Sequence, residues 1–237
     1  MKRGWSCALG RGFLTQLVWC AGLALAGAAQ AAPVIERAVV RFTAPELGGI
    51  VNPRFVFERE LAFEARLEAL TEPSFVPSEE EPYRETHVKA ALERHIAETI
   101  LESLPCSPSP TSREIETRVL EARLALAQRV GGQDRVVESA RAEGLEAREV
   151  FRVLQRQARA SLYLDRMVAP MLEPSNAELQ SLHQSGRTPF SRQDYDAVRE
   201  PLRRWVVSRR LQAAVVSYYE SARTRLSVHF VPKDHGR

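Results

Sequence analysis

The side chains able to make and break bonds are few in this chain, and their spacing excludes most of the chemistry they could do. Five histidines, His87, His95, His183, His229 and His235, are scattered along it, and none stands in a recognisable metal-ligand pattern with a cysteine or carboxylate. His87 and His95 are two helical turns apart, and His95 lies beside Leu92 and Ile96, where it flanks an apolar stripe. Cys106 sits in Leu104-Pro105-Cys106-Ser107-Pro108-Ser109-Pro110, a loop with only Arg113 near to activate a thiolate. It reads as an incidental thiol, with pairing between chains as the alternative. No Gly-x-Ser-x-Gly elbow, phosphate loop or dinucleotide fingerprint occurs, and Gly131-Gly132 reads as a helix stop. No catalytic, metal-binding or cofactor-binding residue is assigned, and no cofactor is expected. The contact chemistry left is aromatic: Phe55, Phe57 and Phe63 early in the chain, and Trp205, Tyr218 and Tyr219 late. Large rings supply much contact area at low entropic cost, and ordinary core packing is the competing reading for each.

The N-terminal segment restricts the setting in which those rings work. Lys2, Arg3 and Arg11 form a basic start, an apolar run follows from about Phe13 to Ala29, and Ala29-Gln30-Ala31 supplies a small-x-small cleavage site. Residues 1–31 are expected to be an export signal, so that the mature chain begins near Ala32 in the periplasm or outside the cell. An uncleaved anchor in the inner membrane is the alternative. The segment holds three of the 33 Lys and Arg and none of the 30 Asp and Glu, so the remainder carries no net charge. Without a basic footprint, no nucleic-acid partner is expected. Cys7 and Cys20 fall in the same segment, which leaves Cys106 as the single mature thiol and no intramolecular disulfide.

Periodicity and breakers predict a mainly α chain, a helical bundle closed by a small two-stranded sheet. Residues 34–42 place Val34, Ala38, Val40 and Phe42 on one face and charges elsewhere, as a half-buried strand does, and Leu226, Val228 and Phe230 alternate in the same way near the end. These two strands are expected to pair and to rest on the helices between them. Helices are predicted from Pro53 to Leu70, from Glu85 to Leu104, from a Thr111 or Ser112 cap to Val130, from Gln133 to Glu143, from Glu146 to Val168, over 176–184 behind the Ser175-x-x-Glu178 capping pattern, and from Asp194 to Thr224 with Pro201 near its start. Residues 71–84 and 185–191 read as linkers. The last helix is apolar along two stripes, Val207, Leu211, Val215, Tyr218 and Ala222 beside Leu202, Val206, Ala213 and Val216, and is expected to be clasped on several sides.

This order resembles the N-terminal chaperone module of SurA-type periplasmic foldases, related to the helical parts of PpiD and PrsA. The likeness is carried by Thr111 to Asn176, where a helix ends in Arg129-Val130-Gly131-Gly132, a short helix ends in Glu143-Gly144-Leu145, and a long helix runs through Arg152, Arg156, Arg159 and Arg166 to Pro174-Ser175-Asn176-Ala177-Glu178-Leu179. A second match runs from Phe190 through a basic helix to the strand before Pro232. Members of that family carry one or two parvulin prolyl isomerase domains before the final helix, whereas only Ser185 to Ser191 stands there in this chain. The resemblance implies a single module over residues 32–237 without the isomerase domain, acting as an ATP-independent holdase for unfolded or outer-membrane-bound polypeptides. The rivals are a scaffold subunit with one dedicated exported partner and, further off, a residual prolyl isomerase. The linker in 71–84 departs from the family pattern and leaves the packing of residues 43–84 open.

Charge is uneven along the mature chain. Residues 199–225 carry seven arginines against Glu200 and Glu220, while residues 46–85 carry ten glutamates against four arginines. The two regions are candidates to dock on each other, and the basic last helix is the candidate for weak contact with an anionic membrane surface.

Overall fold

A computed structural model describes residues 36–232. The export signal read in residues 1–31 lies outside them. Strand β1 (Ala38–Thr43) forms where the sequence alternates, with Val40 and Phe42 buried and Arg41 exposed. It pairs antiparallel with a C-terminal strand, Ser227–Phe230, through Val40 opposite Phe230 and Phe42 opposite Val228. The expected closure of the chain by its two end strands is therefore present.

The sheet has three strands, because residues 54–57 form a strand rather than the first turn of a helix. Arg54–Phe57 is β2, the C-terminal strand is β3, and their order across the sheet is β2-β1-β3. Phe55 and Phe57 are two residues apart, which is the period of a strand, and they pair with Arg41 and Ala38 of β1. Two positive-φ glycines, Gly48 at 94° and Gly49 at 67°, allow two successive 3-10 turns to fold back between β1 and β2.

Seven helices follow: α1 (Glu58–Thr71), α2 (Glu85–Ser103), α3 (Ser112–Val130), α4 (Gln133–Ala142), α5 (Ala147–Tyr163), α6 (Asn176–Gln184) and α7 (Tyr195–Arg223). Their ends are set by local chemistry. At the start of α3 the Glu114 amide donates to Thr111 Oγ1 at 3.3 Å, and the Thr111 amide donates to Glu114 Oε2 at 2.8 Å, a reciprocal capping box. Gly131, at φ 88°, ends that helix in the left-handed conformation. Ser175 Oγ accepts from the Glu178 amide to start α6, and Asp194 caps α7, inside which Pro201 removes one N–H from the hydrogen-bond ladder.

Two cores result. The sheet, α1 and α2 enclose Val40, Phe42, Val56, Leu61, Ile96 and Ile100. Helices α1, α3, α4 and α5 enclose Phe63, Leu67, Val119, Val130, Val153 and Leu154. A smaller cluster of Leu179, Leu202 and Val206 ties α6 to α7. The linker between α1 and α2 has no regular element yet is anchored: Phe75 is buried with its ring 4.9 Å from His87, and His87 Nδ1 accepts the Arg84 amide while Nε2–H donates to Glu72 at 2.7 Å.

The expectation that α7 is clasped on several sides is not met. Val206 and Ala222 are buried, but Ala213 and Val216 are exposed and Val207, Leu211 and Val215 are only half-buried. Its small and β-branched residues span two cavities instead of filling them: about 540 Å³ against α2 and α5, and about 230 Å³ beside Leu104 and Val168. The acidic and basic segments meet through one ion pair, Arg225 to Glu46 at 3.1 Å. No helix among the described residues is long and apolar enough to cross a membrane.

Candidate functional site

Where α1, α2 and α5 cross, the chain buries charge. Glu60 and Glu64 are one turn apart on α1, Arg94, His95 and Glu98 lie on one side of α2, and Arg156 enters from α5. Arg156 Nη1 donates to Glu60 Oε1 at 2.6 Å, its Nη2 donates to Glu64, and its Nε donates to Glu98 at 3.3 Å. His95 Nδ1 lies 3.2 Å from Glu64 Oε1 and donates to it, while Arg94 pairs with Glu68 and lies 3.9 Å from Glu98.

Four carboxylates thus surround two guanidinium groups, and the surplus negative charge is divided unequally. Burial opposes the ionised form of Glu64, yet the Arg156 and His95 contacts outweigh it and hold the carboxyl far below the usual range. Glu98 is pushed up to about 7 by burial and by the charge on Glu64, against the pull of Arg156 and Arg94. Burial works against the charge on Arg156 as well, but its three carboxylates more than offset that and raise its affinity for the proton.

Glu60, Glu64 and His95 bring their ligand atoms within 4.8 Å of one another, the arrangement of a three-ligand metal site. The donor set does not suit a cation from outside. Arg156 already engages the Oε1 atoms of both carboxylates, so a divalent ion would meet a fixed positive charge. The cluster is an internal salt-bridge network whose cation is part of the chain. Spacing of the glutamates gave no hint of it, since glutamates one turn apart usually face water; the signal was Arg156, which shares a helical face with Val153 three residues before it and Ala160 four after it, both buried.

Two further concave surfaces open on the module, apart from the cavities under α7. One is a cleft of about 500 Å³ between β2, α2 and α5, with Phe55, Phe57 and Leu145 on its floor and Arg54, Arg152 and Arg159 around it. The other is an open apolar groove of about 670 Å³ between α3, α4 and α5. Val119, Val136 and Leu154 form its buried floor, and Leu120, Val137 and Phe151 stand on its walls 60%, 45% and 46% exposed. Leu124, one turn beyond Leu120, extends the apolar strip along α3.

The six aromatics singled out from sequence fall in four places. Phe55 and Phe57 lie on β2, not on the first helix, and line the charged cleft. Phe63 is fully enclosed in the core of α1, α3, α4 and α5 and presents no surface. Trp205 packs half-buried on the α6–α7 cluster with Arg209 stacked 5.0 Å from its ring. Tyr218 and Tyr219 pack against the sheet-side core and border the two cavities under α7. The structure therefore joins them in two pairs, leaves Phe63 and Trp205 apart, and gathers them into no single surface. The groove residues Leu120, Val137 and Phe151 were missed because they fall off the main apolar stripes of their helices.

Fold and site together define a mainly α module with a three-stranded antiparallel sheet, an internal ionic network and an open apolar groove. Comparison with protein-family models, curated proteins and solved structures gives no match.

Proposed function

We propose that this protein is an exported, ATP-independent holdase-like module that covers apolar segments of unfolded polypeptides in the groove between α3, α4 and α5. The observation that carries this reading is the groove itself: Leu120, Val137 and Phe151 stand exposed above a buried apolar floor, on helices held together by a core that does not need them. Contiguous exposed apolar surface on a soluble module marks a place where another chain binds. Helices supply its walls, so a segment entering as a helix or an extended chain meets side chains from three elements at once. Arg123 and Arg141 border the groove and keep its rim wetted and its contacts reversible. No step of catalysis enters this role. The closure of the module by β1 and β3 is compatible with the SurA-type resemblance and supports that reading without identifying the family.

The test is light scattering of a denatured outer-membrane protein diluted into buffer with the purified protein. Suppression of aggregation at near-stoichiometric ratio is expected, and the Leu120→Ser/Phe151→Ser double variant, folded by circular dichroism, should lose most of it. Absence of suppression at several-fold excess of the parent protein sinks the reading and redirects the search to a single dedicated partner.

A further inference from the structure

The second concave surface is not apolar, and its charges do not balance. Four carboxylates and four guanidinium groups lie on the walls of the cleft between β2, α2 and α5. Half are already committed. Arg59, just behind it, holds Glu149 at 2.9 Å and Glu36 at 3.8 Å, and Arg156 holds Glu60 at 2.6 Å. Arg54 and Arg159 have no carboxylate within ion-pair distance among the described residues, and Arg152 reaches only Glu149, at 3.8 Å, which Arg59 already engages. Against these three cations stands one uncommitted carboxylate, Glu102. Burial raises the pKa of Glu102 against the pull of Arg156, Arg159 and Arg54, so this one carboxylate is shared among the cations around it.

Apolar side chains stand beside these cations. Phe55 is 46% exposed, and Phe57 and Leu145 continue the surface inward. At about 500 Å³ the cleft has the size of an ordinary small-ligand site. Exposed guanidinium groups and apolar rings lining one cleft suit one chemistry, an anion attached to a hydrophobic body: the planar fork of Arg receives a carboxylate through two parallel hydrogen bonds, while the rings take the apolar part.

We infer that this cleft binds a carboxylate carried on an apolar or aromatic body, with Arg54 and Arg159 receiving the anion and Phe55 and Phe57 the body. The carboxylate is that of a free amphipathic acid or of a polypeptide C-terminus ending in an apolar residue; the chemistry recognised is the same. The site goes beyond the proposed holding role and shares only Leu145 with the lining of the α3–α5 groove. A failure of one reading therefore leaves the other standing.

The experiment titrates the full chain by calorimetry with decanoate and with N-acetylphenylalanine and its amide. A fluorescein-labelled hexapeptide ending in Phe, as free acid and as C-terminal amide, is followed in parallel by polarisation. The acids should bind and the amides bind about tenfold or more weakly, as expected for loss of a charge-assisted contact. An Arg54→Gln/Arg159→Gln double variant should reduce the acids to the level of the amides and leave the amides unchanged. Both arginines are exposed and unpaired, so the variant should keep the parent's circular dichroism and its suppression of aggregation; Arg152→Gln supplies an independent charge removal. Phe55→Ser should weaken acid and amide alike. Binding of decanoate or N-acetylphenylalanine assigns the free acid as ligand, and binding of the peptide acid alone assigns the chain terminus. Equal binding of acid and amide, indifference to the double variant, or no binding by any acid overturns the inference.

Discussion

Helix α5 carries Arg152, Arg156 and Arg159 within two turns, and the three lead different lives. Arg156 faces inward, where it is bound to Glu60, Glu64 and Glu98 of two neighbouring helices. Arg152 and Arg159 face the cleft, exposed and without a carboxylate of their own. The same residue type is structural in one position and available to a ligand a turn away, because partnership and burial, not side-chain chemistry, decide between the two. Arg156 is nearly buried among carboxylates that water reaches only in part, so their charges are neutralised mainly within the fold. Its neighbours are solvated and cost little to leave unpaired.

The sharpest way to break this contrast is to remove Arg156. Arg156→Leu leaves Glu60, Glu64 and Glu98 facing one another without their shared cation, and should lower unfolding stability by about 3–5 kcal/mol in urea denaturation. Adding Glu64→Gln should recover part of that loss. A variant no less stable than the parent would mean that the cluster is solvated and not buried.

The next effect is on pH dependence. With Glu98 raised to about 7 in the folded state, against an ordinary carboxyl value of 4.5, the folded protein holds this proton more tightly than the unfolded chain. Stability contributed by that proton is complete below about 4.5 and is lost as pH rises through 7, a decline on the order of 3 kcal/mol. Glu64, held low, works in the opposite sense at the acid end, where its contribution is lost as pH falls through its depressed value. Glu98→Gln should remove the decline between pH 4.5 and 7, read from urea midpoints across that range; a parallel decline in the variant would assign it to another group. The smallest effect sharpens the other side of the comparison. Arg152→Gln and Arg159→Gln should each change stability by less than about 0.5 kcal/mol, as surface substitutions do. A larger loss would show that these arginines are structural after all.

How far the molecule could be read in advance depended on how local the determining forces were. Helix ends were legible wherever a cap or a left-handed glycine decides them, as at Thr111, Gly131, Ser175 and Asp194. The pairing of the terminal strands followed from alternation at both ends. Strand β2 was misread because Phe55 and Phe57, followed closely by Leu61, satisfy a helical spacing and a strand spacing at once over so short a run; pairing with β1 decided between them. Phe63 was singled out for contact with a partner, yet its size made it a core residue as soon as α3 and α5 closed over it. Glu60 and Glu64 looked like an ordinary solvated pair until α2 and α5 removed the water around them.

By itself the sequence determined the helical class, most element boundaries and the closure of the two ends, because propensity, capping and periodicity act within a few residues of where they are written. Tertiary structure alone decided which arginine of α5 is buried, which glutamates share it, and that a groove of exposed leucine, valine and phenylalanine lies beside a cleft with spare positive charge. These are properties of surfaces assembled from residues far apart in the chain, and burial, which sets the strength of every charge in them, does not exist until the helices pack.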